Sequence, residues 1–244
     1  MYSDLEKKYI ELSRYYYYNK YFYKLILEKK YLENFGDIEL SKMKNIYETM
    51  IINKKLEDMF FLAVDNSIQY SNLIEYRARK EFFDLNMQIK DLEKKIKVNS
   101  RSYKELKFFL DKGLEDAIEK IIKKTSPYMN KSKKAKAIWL EFLQALEDKN
   151  FKRVFRLSNS LTGLRRYRPD IQDQDLERDI EEKKSQIIDM KNRFPFTKIG
   201  ILEDEKSIKV QRDQDNRDVD NMKESYEKMA DIYLSSSLTP SWYS

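Results

Sequence analysis

The 244-residue chain contains no cysteine and no histidine. Without thiols there are no disulfides, no thiolate metal sites and no cysteine nucleophile. Without imidazole the commonest general base and the commonest transition-metal ligand are missing. A Ser-His-Asp or Cys-His set therefore cannot be assembled within the chain. Only carboxylate, lysine, tyrosine or serine–lysine chemistry is left. Glycine and proline are nearly as scarce, with four of each, so turn punctuation is thin. Long helices tolerate that composition and sheet-rich folds do not. Gly36, Gly113, Gly163 and Gly200 stand alone, so no phosphate-cradling glycine loop can be built from them. Long apolar runs are also missing. The best stretch, "YFYKLIL", is interrupted by Lys24 and falls far short of the ~20 residues of a membrane span. The opening "MYSDLEKKYIEL" lacks an apolar segment of signal-peptide length. These absences predict a soluble protein, intracellular in origin, in a producing or host cell or in a virion, with no membrane partner.

Charge and aromatics are abundant. Charged residues make up 37% of the chain and apolar ones 41%, which suits helices with wide solvated faces. Ser3 and Glu6 form a capping-box pattern ahead of Leu5, Tyr9, Leu12 and Tyr16 at helical spacing. The pattern predicts a first helix over 4–35, with Gly36 as its C-terminal cap. Within it, "RYYYYNKYFY" (14–23) sets seven aromatic rings in ten positions, and tyrosine runs also favour strands. At about 100° per residue, Tyr15 to Tyr18 wrap a whole helix circumference, so some rings must meet water or a partner. Tyr17, Tyr21 and Phe22 are expected at a protein interface.

Between Asp37 and Lys112 there is no glycine or proline, and Ile74, Ala78, Phe82, Leu85, Ile89, Leu92 and Ile96 recur at spacings of four and three. That is a coiled-coil-like seam. Leu56, Phe60, Val64 and Ile68 extend it backwards, which predicts one long helix over 41–97, with Asn53 and Asn66 as places for a break. "VNSRSYKEL" is expected to end that helix, with Ser102 and Glu105 capping the next. That third helix is striped by Leu106, Leu110, Leu114, Ala117 and Ile121. A loop around Pro127, a helix carrying Trp139 and Phe142, a short helix at Phe151, and a helix over 171–193 follow. "FTKIGILEDEKSIKVQ" alternates on both sides of a polar centre and predicts a β-hairpin over 196–211. A last helix is expected over 214–234. The expected fold class is mainly α: an elongated helical bundle with one long helix, a small C-terminal β-hairpin and an extended C-terminal tail. The expected organisation is a helical body over 1–168, a helix–hairpin–helix segment over 169–234 and a tail over 235–244.

Charge is unevenly distributed. Residues 120–168 hold 14 Lys or Arg against 3 acids, and residues 170–231 hold 12 against 18. Lys123, Lys124, Lys131, Lys133, Lys134, Lys136, Arg153, Arg156, Arg165, Arg166 and Arg168 crowd the basic middle, with Tyr128, Trp139 and Tyr167 among them. Cations with interleaved rings suit phosphate contacts and base stacking. They equally suit an acidic partner, including the acidic third of a neighbouring copy.

Two acidic patterns fail on spacing. Pro169-Asp170 with Glu181 and Lys183 matches a loose nuclease pattern. On a helix, however, Asp170 and Glu181 fall about 16 Å apart along the axis, and one metal ion needs them together. Asp213, Asp215, Asn221 and Glu224 occupy calcium-loop positions, but Asp218 stands where the tight turn needs glycine. No cofactor, metal or small-molecule substrate is expected, and the chain is not expected to be an enzyme. The ending "SSSLTPSWYS" presents Trp242 and Tyr243 as a docking arm. A helical body with a hairpin and an extended arm resembles, in architecture alone, the ring or connector subunits of tailed-phage virions. The leading expectation is a non-enzymatic assembly subunit that acts through protein contacts, as a homo-oligomer or with other subunits. The alternative is a helical nucleic-acid-binding protein using residues 120–168.

Overall fold

The computed structural model describes residues 2–63, 71–165, 167 and 173–238. Its elements in chain order are α1 (Asp4–Tyr18), a π turn (Asn19–Tyr23), α2 (Lys24–Ala63), α3 (Ser71–Glu81), α4 (Phe83–Asp111), α5 (Leu114–Thr125), α6 (Lys133–Glu147), α7 (Phe151–Asn159), α8 (Asp173–Lys191), a 3₁₀ turn (Phe196–Lys198), α9 (Ile199–Leu202) and α10 (Glu205–Leu238). Among the described residues the chain is mainly helical and has no strand. No helix among them is long and apolar enough to cross a membrane. The chain forms two compact units, Met1–Lys30 with Arg101–Gly200, and Tyr31–Ser100 with Ile201–Ser244.

In the first unit α1 packs against α5 and α8, and α5, α6 and α7 pack on one another. The capping box at the start of α1 forms as the sequence predicts. Ser3 Oγ accepts from Glu6 N–H at 3.1 Å and Glu6 Oε2 accepts from Ser3 N–H at 2.7 Å. The core gathers Tyr9, Phe22, Ile118, Ile121, Phe142, Leu146, Val154 and Ile180. The tyrosine run is helical throughout, but not α-helical. In the wide turn the Lys24 N–H bonds back to the Asn19 carbonyl, the five-residue step of a π-helix. In an α-helix residues five apart point about 140° away from each other. Here Tyr17 and Phe22 both face the core, and Tyr18 stacks on Tyr23 at 6.2 Å.

Lysines cover the rings that the core cannot take. Lys191 lies 5.3 Å from the centre of the Tyr15 ring, and Lys20 lies 5.3 Å and 4.8 Å from those of Tyr16 and Tyr21. From α8, Lys183 is only 8% exposed and reaches over both Tyr16 and Tyr17. Burial, first of all, pushes the Tyr17 and Tyr9 hydroxyls far above their ordinary range and that of Tyr18 up to about 12.

In the second unit the helix directions follow from side-chain pairs. Lys44 pairs with Glu93 at 2.6 Å, Lys54 reaches Glu81 at 3.7 Å and Lys55 pairs with Glu75, so α3 and α4 run antiparallel to α2. Arg212 pairs with Asp37 at 2.9 Å and Lys42 with Asp215 at 2.6 Å, while Lys55 lies 5.6 Å from the Tyr233 ring, so α10 runs parallel to α2. The predicted seam is the buried face. Ala78 and Ile89 pack with Tyr47 and Ile51, and Phe82 and Leu85 lie beside them. Phe82 marks a slight irregularity between α3 and α4. The Phe82 N–H still reaches the Ala78 carbonyl at 3.3 Å, and the Phe82 carbonyl accepts from Asn86 N–H at 3.1 Å.

Several sequence expectations are corrected. Residues 196–211 are not a hairpin. Asp204 instead caps α10, accepting from Lys206 N–H at 3.2 Å, Ser207 N–H at 3.0 Å and the Ser207 hydroxyl at 2.9 Å. The cap and a helical-period stripe through Ile208, Val219, Met222 and Tyr226 outweigh a short alternation. The resemblance to virion connectors loses the hairpin on which it partly rested. α10 continues to Leu238, so the first four residues of the expected tail are helical. Gly36 is not a cap but lies inside α2, where an added Cβ would come within 3.0 Å of Ile96 Cγ1. Asn53 breaks nothing, but the single helix expected over 41–97 does not form, because α3 and α4 run antiparallel to α2. α4 runs straight through Ser102 and Glu105 to Asp111, and Gly113 then takes φ 73°, a left-handed conformation that glycine adopts without strain. Asn66, Val64 and Ile68 lie outside the described residues.

Candidate nucleic-acid interface

The basic middle of the chain is organised by one side chain, Asn130, in the loop between α5 and α6. It is buried, and its amide nitrogen donates to the Lys124 carbonyl at 2.9 Å and to the Arg165 carbonyl at 3.1 Å. Its oxygen accepts from Ser132 N–H at 3.0 Å and from Tyr167 N–H at 3.4 Å. The Lys131 N–H donates to the Tyr167 carbonyl at 2.9 Å. Two basic stretches that lie far apart in sequence are thereby fastened side by side. Ser132 then caps α6, its hydroxyl accepting from Ala135 N–H at 3.1 Å. Lys133, Lys134 and Lys136 follow in the first turn, with no acid among them. Cations at that end oppose the helix dipole, so the local arrangement favours an anion from outside.

The side chains of Lys124, Lys131, Lys133, Lys134, Lys136 and Arg165 are exposed. None of them has an ion-pair partner among the described residues. The other predicted cations divide differently. Lys123 is engaged by Glu119, and Arg153 by Glu141 at 2.9 Å. Arg156 lines a cleft with Phe108 and Phe155. Arg166 and Arg168 lie outside the described residues.

The interleaved rings mostly serve the core. Trp139 is buried, 5.9 Å from the Tyr17 ring and 5.4 Å from Phe142. Tyr128 packs edge-on against Tyr9 at 5.0 Å. Tyr167 is 50% exposed beside the clamp and can receive a base. Of the residues expected at a protein interface, Phe22 is fully buried and Tyr17 is 9% exposed. Neither presents its ring to a partner, because the π turn directs both inward. Tyr21 is half-buried and its hydroxyl donates to Glu147. Trp242 and Tyr243 lie outside the described residues.

The acidic patterns serve local pairing. Glu181 engages Lys184, and Asp170 lies outside the described residues. Asp213, Asp215, Asn221 and Glu224 run along α10 instead of around a loop. Asp215 holds Lys42 at 2.6 Å and Glu224 holds Lys228 at 2.7 Å. Among the described residues no three acidic groups converge as metal ligands would.

Sequence reasoning missed Asn130. Half of its role is readable, since Asn-x-Ser after a proline is an Asx-turn signal. The bonds to residues 165 and 167 are long-range and leave no local trace. No family model, curated protein or solved structure matches the chain.

Proposed function

We propose that this is a non-catalytic helical protein that binds nucleic acid through the phosphate backbone, using the loop before α6, the first turn of α6, Arg165 and Tyr167. One observation carries the reading. Six exposed cations held around Asn130 lack acidic partners among the described residues, whereas Arg14, Lys42, Lys44 and Lys123 are each ion-paired. Phosphate contacts of this kind carry little sequence information and release counterions. Fluorescence anisotropy with a short duplex and a short single strand tests it. Affinity should fall by about one to several decades between about 50 and 200 mM salt. Charge reversal at Lys131, Lys134 and Arg165 should remove binding and flatten the salt slope. Affinity indifferent to both would overturn the reading.

A second reading, a subunit of a larger assembly, is supported by large apolar side chains exposed on the second unit. Tyr76 and Phe83 on α3 and α4, and Val210 and Ile232 on α10, are all more than half exposed. Its homo-oligomeric form would set the basic middle against the acidic third of a neighbouring copy, and its ring or connector form would stack such oligomers. Light scattering during size-exclusion chromatography at micromolar protein should then report a defined multimer. A monomer at every concentration sinks this reading for self-assembly.

A further inference from the structure

We infer a second ligand site in the first unit, away from the Asn130 clamp, that takes one nucleotide unit with its base on phenylalanine and its phosphate among cations. The site is an open cleft of about 450 Å³ between the end of α4 and α7. Phe108, Phe109 and Phe155 line it, with Lys112, Lys152 and Arg156 around them.

The rings form a stepped floor. Phe109 is buried and stacks on Phe155 at 6.1 Å with 21° between planes. Phe108 meets Phe109 edge-on at 5.4 Å and 77°, and remains 47% exposed. An exposed phenylalanine anchored from beneath presents a fixed face, which is what a base needs for stacking. Lys112 Nζ lies over the Phe108 ring, 4.4 Å from its centre, so a base reaches that face as the flexible lysine swings off the ring toward the phosphate. Lys152 and Arg156 are four residues apart on α7 and therefore share a face, where like charges repel. None of the three has an ion-pair partner among the described residues, and no acid lines the cleft.

An aromatic floor and a rim of three cations and Asn159 complement a flat ring joined to an anion. A nucleotide supplies both groups, and the cleft volume lies within the range of small-ligand sites. Arginine suits the rim because its planar guanidinium bonds phosphate in a fork and stacks on rings. The site uses none of the residues assigned to the clamp, so the two proposals fail separately.

The test is fluorescence quenching of 2-aminopurine, presented as the riboside, the riboside 5′-monophosphate and one base in a short single strand. The monophosphate should be quenched saturably, and the phosphate-free riboside should bind far more weakly. Phe108→Ala and Arg156→Glu should each weaken binding about tenfold, the scale of losing one stacking ring. Lys131→Glu with Lys134→Glu should leave monophosphate binding unchanged. Thermal melting checks the fold of each variant, and both sites are exposed enough for substitution. Tighter binding of the strand than of the monophosphate assigns the site to single-stranded nucleic acid, and equal affinity assigns it to the free nucleotide. No saturable quenching, equal affinity for the riboside, or indifference to both variants overturns the proposal.

Discussion

The ammonium of Lys183 lies 5.4 Å from the centre of the Tyr17 ring and 3.9 Å from the Asp179 carboxylate. A buried cation costs stability unless it is paired, and here two rings and one carboxylate provide the pairing. Lys183→Ala should lower stability by about 2 kcal/mol, the scale of a desolvated cation–π contact. Lys183→Met, which keeps the stem, should cost less. Burial, first of all, holds the Asp179 carboxyl above its ordinary range, and Lys183 opposes that shift. Without the lysine it should rise further. A carboxyl raised in the folded state destabilises where it must ionise, so the Lys183→Met deficit should shrink as pH falls from about 7 to about 3. Urea unfolding at both ends of that range checks the sign.

Glu119 carries the opposite shift. Its contact with Lys123, and further Arg14, whose Nη1 lies 2.6 Å away, hold its carboxyl below the usual range. A depressed carboxylate contributes stability that is present above its unfolded value and is lost as pH falls through the folded one. Glu119→Gln should therefore be less stable than the parent at neutral pH, and the two should converge in acid. Melting curves from about pH 7 to about pH 2 would show whether they do.

Asn130 is a joint without charge. Asn130→Ala should lower stability by about 2 kcal/mol, because two carbonyls lose their donor. It should also weaken nucleic-acid binding although every cation is still present. Thermal unfolding and anisotropy on the same sample measure both. Full affinity in a destabilised variant would show that the cations need no clamp.

Gly36 lets α4 approach α2. Replacing glycine with alanine inside a helix gains about 1 kcal/mol in propensity, but the new Cβ would meet Ile96 Cγ1 at 3.0 Å. Gly36→Ala should therefore be close to neutral, and Gly36→Leu should cost about 1–3 kcal/mol through overpacking. Shortening the neighbour with Ile96→Ala should make Gly36→Ala stabilising. A double-mutant cycle by chemical denaturation reads that coupling directly.

Periodic features were legible in the sequence. The Ser3 capping box, the seam through Ala78 and Ile89, the loop at Pro127 and the helices at Trp139 and Phe151 all follow from local pattern. The expectations that failed depended on distant contacts. Gly36 reads as a helix end until Ile96 is seen against it, and Trp139 reads as a stacking ring until Tyr17 and Phe142 cover it. The hairpin failed because a few alternating residues around Asp204 also fit a capped helix. The list of cations was readable from composition. Which of them stand unpaired was not, because Glu119 and Glu141 decide that in three dimensions.

The wide turn at Asn19–Tyr23 gives the tyrosine run a mechanical meaning. It acts as a phase adjuster, resetting the angular origin of the helix so that the apolar stripe of α1 hands over to Phe22 and Ile26 without leaving the core. A chain one residue shorter here would regain ordinary pitch and set Tyr17 and Phe22 four apart, about 40° from one another on the same face. Phe22 would keep its place beside Phe151, where the rings now meet at 5.1 Å. The turn thus absorbs one extra residue, and a deletion here is milder than one in the regular helix on either side, which would swing the following rings by about 100°.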